Sequence, residues 1–217
     1  MFTDHQYLDR YPVQLDSRLL ILGTIHPHNT GDFKIPFFYG NKNSIWNLLS
    51  DAFPKLLPKP IVLENVLSFL QHGRISLSDT IRQCRRLRHT ALDTDLVPEI
   101  LNYELIDQIK ESQIEQILCT SGFGKNNAFR LFYEGLLGLK ITPEIRAKRE
   151  VLLPDSIFGR PVLVKALYSP SGSSNISFSR HPLYVANKDK YASFPNPVYT
   201  FKVDYYRTQF AVLDLQD

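Results

Sequence analysis

Cysteine is scarce in this chain of 217 residues, with only Cys84 and Cys119. Four thiolates are needed to hold an iron–sulfur cluster and several pairs to build a disulfide framework, so we predict neither. Long apolar runs are also missing, since no stretch approaches the roughly 20 residues of a membrane-spanning helix. The first residues lack the basic start and apolar run of a secretory signal. These absences predict a soluble, cytoplasmic protein with reduced thiols and no membrane partner.

Charge of one sign is not in large excess either. The formal net charge is +3, which suits a polyanionic partner without requiring one. Basic residues are nevertheless concentrated locally, in a basic cluster of Arg82, Arg85, Arg86, Arg88 and His89. That cluster fits the solvated face of a helix and contacts with phosphates equally well.

Hydrophobic residues make up 43% of the chain, enough at this length for one well-filled core. We therefore predict a single domain over residues 1–217 and a monomer. Continuous apolar runs, typical of strands buried on both faces, occur at 18–23, 114–120 and 160–168, with a shorter run at 150–153. Helical periodicity is found at 45–49, where Asn43 or Ser44 could form the cap, and at 61–70, 100–111, 126–137 and 203–213. This alternation predicts a three-layer α/β/α sandwich around a short, mostly parallel four-stranded sheet.

The loops after three predicted strands contain the unusual residues. Ligands of parallel sheets bind beyond the carboxyl ends of the strands, so we expect the chemistry in these loops. Their sequences are Gly-Thr-Ile-His-Pro-His at 23–28, Thr-Ser-Gly-Phe-Gly-Lys-Asn-Asn at 120–127 and Ser-Pro-Ser-Gly-Ser-Ser-Asn at 169–175.

Several familiar site classes are excluded by spacing. Gly124-Lys125 lacks the glycine and the hydroxyl residue that a P-loop requires at positions 119 and 126. No Gly-x-Ser-x-Gly elbow surrounds Ser171. His26 and His28 have no carboxylate or cysteine beside them, so they do not make a zinc motif. We predict no metal and no cofactor.

Two proline-containing turns at strand ends, with an aromatic stretch after the first, carry a family resemblance. The first is Leu-Ile-Leu-Gly-Thr-Ile-His-Pro at 20–27, followed by Phe-Phe-Tyr-Gly-Asn-Lys-Asn-Ser-Ile-Trp at 37–46. The second is Ser-Pro-Ser-Gly-Ser at 169–173. In order and separation this pattern resembles the uracil-DNA glycosylase superfamily over most of residues 18–180. It is most similar to the mismatch-specific and the hypoxanthine-DNA glycosylase branches, which carry no iron–sulfur cluster.

The resemblance nominates the residues that position water, with one departure. Many family members place Asn or Asp beside the proline of the first loop, whereas this chain has His26. Either His26 takes that role or an asparagine of the Tyr-Gly-Asn-Lys-Asn stretch does, which is Asn41 or Asn43. An amide oxygen can hold a water, and an imidazole can accept or donate according to its tautomer. The departure also admits a catalytically inactive relative.

The remaining site residues follow from the same resemblance. Phe38 aligns with the aromatic residue that stacks on the extruded base. Its neighbours Phe37 and Tyr39 are alternative stacking residues or belong to the hydrophobic core. The turn at 169–174 is expected to grip phosphates, and Ile176 or Phe178 to fill the vacated stack. The substrate-binding set is Thr24, Ile25, Phe38, Tyr39, Thr120 and Ser121, with Asn126 or Asn127 as weaker candidates. The DNA-binding set is Ser169, Pro170, Ser171, Gly172, Ser173, Ser174 and Arg180.

The resemblance thus implies a monofunctional DNA glycosylase in base-excision repair. It would flip a deaminated or damaged base, uracil or hypoxanthine, out of DNA and hydrolyse the N-glycosidic bond. Its partner would be DNA that contains the damaged base. The alternative is an inactive paralogue of the same fold that binds DNA or nucleotides.

Overall fold

The computed structural model describes residues 1–42, 44–88, 90 and 92–211. They divide into two compact units, each built from two stretches of chain. The first unit contains Met1–Asp32 and Arg74–Tyr168, and the second contains Phe33–Gly73 and the chain from Ser169 onward. One domain over the whole chain stays a prediction. No helix of the described residues is long and apolar enough to cross a membrane.

Among the described residues, all the strands belong to the first unit. In chain order they are β1 (Phe2–Asp4), β2 (Leu19–Gly23), β3 (Ile75–Asp79), β4 (Ile81–Arg86), β5 (Leu96–Leu101), β6 (Gln116–Cys119), β7 (Glu150–Leu153) and β8 (Val162–Ala166). The larger sheet has the order β3-β2-β6-β8-β7, in which the first four strands are parallel and β7 is antiparallel at the edge. An α/β fold is confirmed. The larger sheet has five strands where four were predicted, because β3 was not predicted.

Strand β3 escapes sequence reasoning because serines interrupt its apolar residues. Its sequence is Ile-Ser-Leu-Ser-Asp, yet all five residues are buried. The Ser76 hydroxyl lies 2.7 Å from that of Ser17 and accepts the N–H of Gln14 at 2.9 Å. Hydrogen-bonded hydroxyls tolerate burial, so a strand with two serines can be fully buried at the edge of the sheet.

A second sheet of the first unit contradicts two predictions. It is antiparallel, in the order β1-β4-β5. The expected helix over 100–111 starts inside strand β5, and only 104–111 is helical. The basic cluster lies on strand β4 and the turn after it, where a helix face was one expectation; His89 is outside the described residues. Pairing with distant strands overrides the local helical period here.

Helices of the first unit pack on the larger sheet's core. They are α3 (Glu104–Glu111), α4 (Ala128–Arg130), which continues as a π-helical turn over Leu131–Leu136, α5 (Pro143–Lys148) and α6 (Asp155–Phe158). Leu105 and Ile109, one helical turn apart on α3, are fully buried in the same core cluster as Leu20 and Ile117 of the sheet. The expected helix at 126–137 is present in shortened form.

The regular structure in the described part of the second unit is helical. The helices are α1 (Ser44–Ala52), α2 (Leu63–His72), α7 (Asn175–Phe178), α8 (Pro182–Val185), α9 (Lys188–Tyr191) and α10 (Pro197–Phe210). Tyr199 of α10 donates its phenolic O–H to Asp51 of α1 at 2.6 Å, joining two helices that pack together. The predicted terminal helix begins at Pro197, six residues early, because proline is well suited to a first helical position.

Candidate functional site

The carboxyl ends of β2 and β6 carry two hydroxyls that meet one carboxylate. Thr24 follows β2 and donates its Oγ1–H to Asp93 Oδ1 at 2.9 Å. Ser121 lies just beyond β6; its hydroxyl accepts the N–H of Ala128 at 2.8 Å and donates to the same Asp93 side chain. Thr24 and Ser121 were both nominated as substrate-binding residues, whereas Asp93 was missed. The structure therefore brings these two together around a carboxylate from a third segment.

Asp93 is held in a partly buried environment. Burial raises the pKa of its carboxyl, and Asp79 raises it further, while the two hydroxyls and Arg86 lower it. A raised pKa in a carboxylate at the end of a parallel sheet is a common property of functional groups. Asp93 as a residue is partly exposed.

The backbone around Asp93 is fixed by an asparagine of the loop after β6. Asn126 is buried, and its amide group donates to the carbonyl oxygens of Asp93 at 2.8 Å and Leu96 at 2.7 Å. Asp93 begins a short 3-10 turn, Asp93–Asp95, that leads directly into β5. Asn126, a weaker candidate for base recognition, thus locks the carboxylate's segment to the loop that carries Ser121.

His26 is buried, and both nitrogens of its ring are bonded to backbone. Nε2 accepts the N–H of Gln6 at 3.0 Å, and Nδ1 lies 2.7 Å from the carbonyl oxygen of Pro27, to which it donates. This geometry selects the Nδ1–H tautomer, and burial lowers the pKa of the imidazole. A catalytic role stays a prediction, but these bonds favour anchoring of the loop after β2.

An ion-pair candidate beside His26 was missed by sequence reasoning. His5 Nε2 lies 2.7 Å from Asp79 Oδ2, and its Nδ1 accepts the N–H groups of Tyr7 and Leu8 at 3.1 and 3.3 Å. The rings of His5 and His26 meet edge to face at 4.7 Å between centroids. His5 is near the amino terminus, where no motif surrounds it, so only tertiary structure identifies this pair.

Ile25 and Thr120, also nominated for substrate binding, have structural partners. Ile25 is buried in a small core cluster with Ile81 and Leu96. Thr120 is buried, and both its N–H and its hydroxyl donate to the carbonyl oxygen of Leu22, at 2.9 and 3.3 Å. Their substrate contacts remain predictions.

Aromatic residues of the second unit differ sharply in exposure. Phe38 is 1% exposed and meets Phe37 edge to face at 5.2 Å, while its carbonyl accepts the indole N–H of Trp46 at 2.8 Å. Tyr39 is partly exposed and has a left-handed backbone conformation with φ of 59°. Non-glycine residues rarely adopt this conformation, and such strain is concentrated at functional positions. Tyr39 is therefore a better placed stacking candidate than Phe38.

The two asparagines predicted to hold the water follow Tyr39 in the same segment. Asn41 is partly buried, and Asn43 lies outside the described residues.

The serine turn, residues 169–174, has its own network of hydrogen bonds. The hydroxyls of Ser171 and Ser173 are 2.8 Å apart, and Ser169 Oγ accepts the N–H of Ser171 at 3.2 Å. Ser174 Oγ donates to Ser171 O at 2.7 Å. At the apex Gly172 is exposed, and a side chain there would meet no atom within 4 Å. The turn thus has a defined shape and an open outer face.

Beyond the turn the structure separates the two wedge candidates. Ile176 on α7 is 76% exposed, whereas Phe178 is buried and stacks on His181 with ring centroids 5.4 Å apart. Arg180 follows α7 and is exposed. Of the nominated pair, Ile176 alone presents its side chain to solvent.

Most of the basic cluster is neutralised within the protein. Arg82 bonds to Asp9 and Glu104, Arg85 to Glu99, and Arg88 lies 3.6 Å from Asp95. Arg86 is buried and donates to the carbonyl oxygens of His26 at 2.7 Å and Thr90 at 3.1 Å. The cluster therefore stabilises the antiparallel sheet and the loop after β2, and contacts with phosphates remain a prediction. The described part of the chain contains no group of three His, Cys, Asp or Glu side chains that could hold a metal ion.

Comparison with known proteins supports the architecture. No family model matches the sequence, and no curated protein matches it. Among solved structures, the chain is similar to the solution NMR structure of a proposed uracil DNA glycosylase from Methanosarcina acetivorans. The TM-score is 0.52 at 20% sequence identity, and the match covers 96% of this chain and 98% of the other. This likeness shows that the two chains share a fold.

Proposed function

We propose that this protein is a monofunctional DNA glycosylase that hydrolyses the N-glycosidic bond of uracil or hypoxanthine in DNA and leaves an abasic site. The observation that carries the proposal is the Asp93 carboxylate at the carboxyl ends of β2 and β6, held by Thr24 and Ser121. The shared fold with a proposed uracil DNA glycosylase and the motifs at 20–27, 37–46 and 169–173 support it.

In this proposal Asp93 acts as the general base. The bond from C1′ to the base nitrogen breaks, and its electron pair leaves with the base. The oxygen of a water forms the new bond to C1′, and the proton of that water passes to an Asp93 oxygen. The sugar carries positive charge in the transition state, so the carboxylate also stabilises it electrostatically. The departing base anion takes up a proton from solvent.

Thr24, Ser121 and Asn126 position this base. Two hydroxyl donors orient the carboxylate and keep it able to ionise, and Asn126 holds the backbone of Asp93. A neutral, buried His26 anchors the loop that carries Thr24. Asn41 and Asn43 remain our sequence-based candidates for a group that holds the water.

The DNA contacts are proposed for the second unit. Tyr39, with its strained backbone and partial exposure, is the proposed stacking partner of the extruded base. Ile176 is the proposed wedge that replaces the base in the duplex. The serine turn and Arg180 are proposed to contact the flanking phosphates.

The test is a single-turnover assay with labelled oligonucleotides that contain uracil, hypoxanthine, xanthine or a G·T mismatch, followed by alkaline cleavage of the abasic product. We expect strand scission after alkali for uracil or hypoxanthine, and loss of this activity in Asp93→Asn. Scission without alkali would contradict the monofunctional assignment.

A second candidate is a binding protein of the same fold without catalysis. It is favoured by one observation, that both ring nitrogens of His26 are bonded to backbone in the loop where the family places a water-holding residue. Binding to the same oligonucleotides without base release would establish this alternative. If the protein neither binds these oligonucleotides nor releases a base from them, both proposals are overturned.

A further inference from the structure

Lys202 of α10 is a lysine at 1% exposure, which is rare because burial of an ammonium is unfavourable unless its donors are satisfied. Its Nζ donates to three acceptors of the serine turn. These are Ser169 O at 2.9 Å, Ser174 Oγ at 2.7 Å and Ser171 O at 3.3 Å. A single ammonium thus joins the beginning, middle and end of the turn.

The positive charge of Lys202 is not cancelled by its partners. Two carbonyls and a hydroxyl carry no net charge, and the ring of Phe178 lies 5.5 Å from Nζ in a cation–π contact. The described acids of α10 and of the helices packed against it are engaged elsewhere or exposed. Asp204 of α10 bonds to Arg207 and Tyr191. Asp51 of α1 bonds to Lys59 and Tyr199, and Asp189 of α9 is exposed. The other charged groups there, Lys188, Lys190 and Arg207, are cations on the solvent side. Within the described part of the chain, no carboxylate forms an ion pair with Lys202, so its positive charge lies uncompensated beside the serine turn.

We propose that Lys202 is the positioning residue of the serine turn and the source of its positive charge, so that the turn binds a phosphodiester of DNA only while the Lys202 amine is protonated. This inference rests on the proposed function, because it assigns a DNA contact to the serine turn. The ammonium holds the backbone on the inner side, and the hydroxyls of Ser171 and Ser173 with the open apex at Gly172 face outward. An interior charge attracts a phosphate through a low-dielectric path, where screening by salt is weak.

Deprotonation would alter both the shape and the charge of the turn. Burial lowers the pKa of Lys202 to about 8, whereas the pKa of an ordinary lysine is about 10.4. As pH rises through that range, the amine loses its charge and retains two N–H donors for three acceptors. Affinity for DNA should consequently fall between neutral pH and about pH 9, where exposed lysines and arginines are still charged. Bound phosphate, in turn, should raise the pKa of the amine.

The experiment measures the affinity of the whole chain for an undamaged, fluorescein-labelled duplex from pH 6.5 to 9.5 at constant ionic strength. The wild type should lose about tenfold in affinity across this range, the scale of one hydrogen bond to a charged group. Lys202→Met should bind about tenfold more weakly at pH 7 and show no pH dependence. Lys202→Arg, which stays charged throughout, should bind well at pH 7 and retain that affinity at pH 9.5.

Lys188→Met is the matched control, because Lys188 is exposed on α9 in the same unit and its removal changes the net charge equally. It should keep the pH profile of the wild type. If Lys202→Met does not fold, the pH profiles of the wild type, Lys202→Arg and Lys188→Met still test whether DNA affinity depends on the protonation of Lys202. A flat profile in the wild type, an unchanged profile in Lys202→Met or Lys202→Arg, or absence of DNA binding would overturn the inference. Because undamaged DNA is used, pH-dependent binding without base release would remove the glycosylase proposal and leave this inference standing.

Discussion

At the scale of single residues, Asp93 and His26 have opposite relations to their surroundings. Asp93 is a carboxylate whose burial opposes ionisation, in a residue that is partly exposed. His26 is a neutral ring whose two nitrogens are fully used. A group that is destabilised in its working form is typical of a catalytic position, whereas a satisfied group is typical of a structural one.

We predict that Asp93→Asn lowers single-turnover base release by at least about a hundredfold, the lower range for loss of a general base. In the wild type the rate should rise with pH through the raised pKa of Asp93, and this limb should vanish in the variant. Asp95→Asn is the control, since the Asp95 carboxylate, two residues away, bonds to Thr90 and lies 3.6 Å from Arg88. It should reduce stability while leaving release per folded molecule nearly unchanged.

The same substitution should stabilise the fold. Because the pKa of Asp93 is raised on folding, the folded state loses stability as pH rises through the interval between the unfolded and folded pKa values. At pH 7 the Asn variant avoids this penalty, so its midpoint of urea unfolding should exceed that of the wild type. A lower midpoint would show that Asp93 is a structural acid and would count against its catalytic role.

For His26 we predict the reverse sensitivity. Its pKa is lowered in the fold, so the folded state gains stability above the unfolded value of 6.5 and loses it as pH falls through that value. His26→Ala should reduce the free energy of unfolding by about 1–3 kcal/mol, as expected when backbone groups lose buried partners. It should also weaken the decline in stability between pH 7.5 and 5.5, measured by urea unfolding. An unchanged decline would assign the acid sensitivity to another group.

At the scale of structural elements, the loop before α1 shows how backbone geometry selects residues. Gly40 lies where a Cβ would approach Ile35 O to 1.9 Å, so only glycine fits. Its N–H donates to Phe37 O at 3.0 Å, and its carbonyl accepts the N–H of Lys34 at 2.9 Å. Tyr39, the residue before Gly40 in this closure, has a left-handed conformation and is partly exposed.

We therefore predict different effects for the two neighbouring aromatic residues. Tyr39→Ala should weaken binding to duplex with an extrudable uracil by about 1–3 kcal/mol, the value of one base–aromatic stack, and affect undamaged duplex less. Phe38→Ala should instead reduce stability by roughly 3–5 kcal/mol, as for a buried aromatic. Anisotropy titrations and urea unfolding separate the two outcomes. A selective loss of lesion binding in Phe38→Ala would reverse the assignment.

At the scale of the whole molecule, a net charge of +3 is too small for affinity to arise from overall attraction alone. Arg82 and Arg85 of β4 are bonded to carboxylates of β5, α3 and the amino-terminal segment, and Arg86 is buried, so these arginines contribute little free charge at the surface. Local contacts such as those proposed for Arg180 should then decide the salt dependence.

The expected outcome is a difference between two arginine substitutions. Arg180→Ala should reduce the slope of log K against log salt by about 0.9, which corresponds to one phosphate contact. Arg85→Ala removes the same charge from a residue paired with Glu99 and should leave the slope nearly unchanged. The measurement is DNA affinity from 50 to 200 mM salt. A slope that is reduced in Arg85→Ala and unchanged in Arg180→Ala would assign the phosphate contact to the basic cluster instead.

Local patterns of sequence were sufficient for the continuous apolar strands β2, β6, β7 and β8 and for the class of fold. The same patterns located the loops that hold Thr24 and Ser121 and the serine turn, because a buried parallel strand and the turn that ends it are both encoded by adjacent residues. Strands β1, β3, β4 and β5 were missed, since their polar residues are accommodated by partners that pairing alone supplies.

Tertiary structure alone decided which side chains meet. Thr24 and Asp93 are 69 positions apart, His5 and Asp79 are 74 apart, and Lys202 lies 33 positions from Ser169. Nothing in a stretch of neighbouring residues marks an acid for burial or a lysine for a place beneath a turn. The pKa of such a group depends on its burial and on the donors and charges around it, and those are set when distant segments pack together.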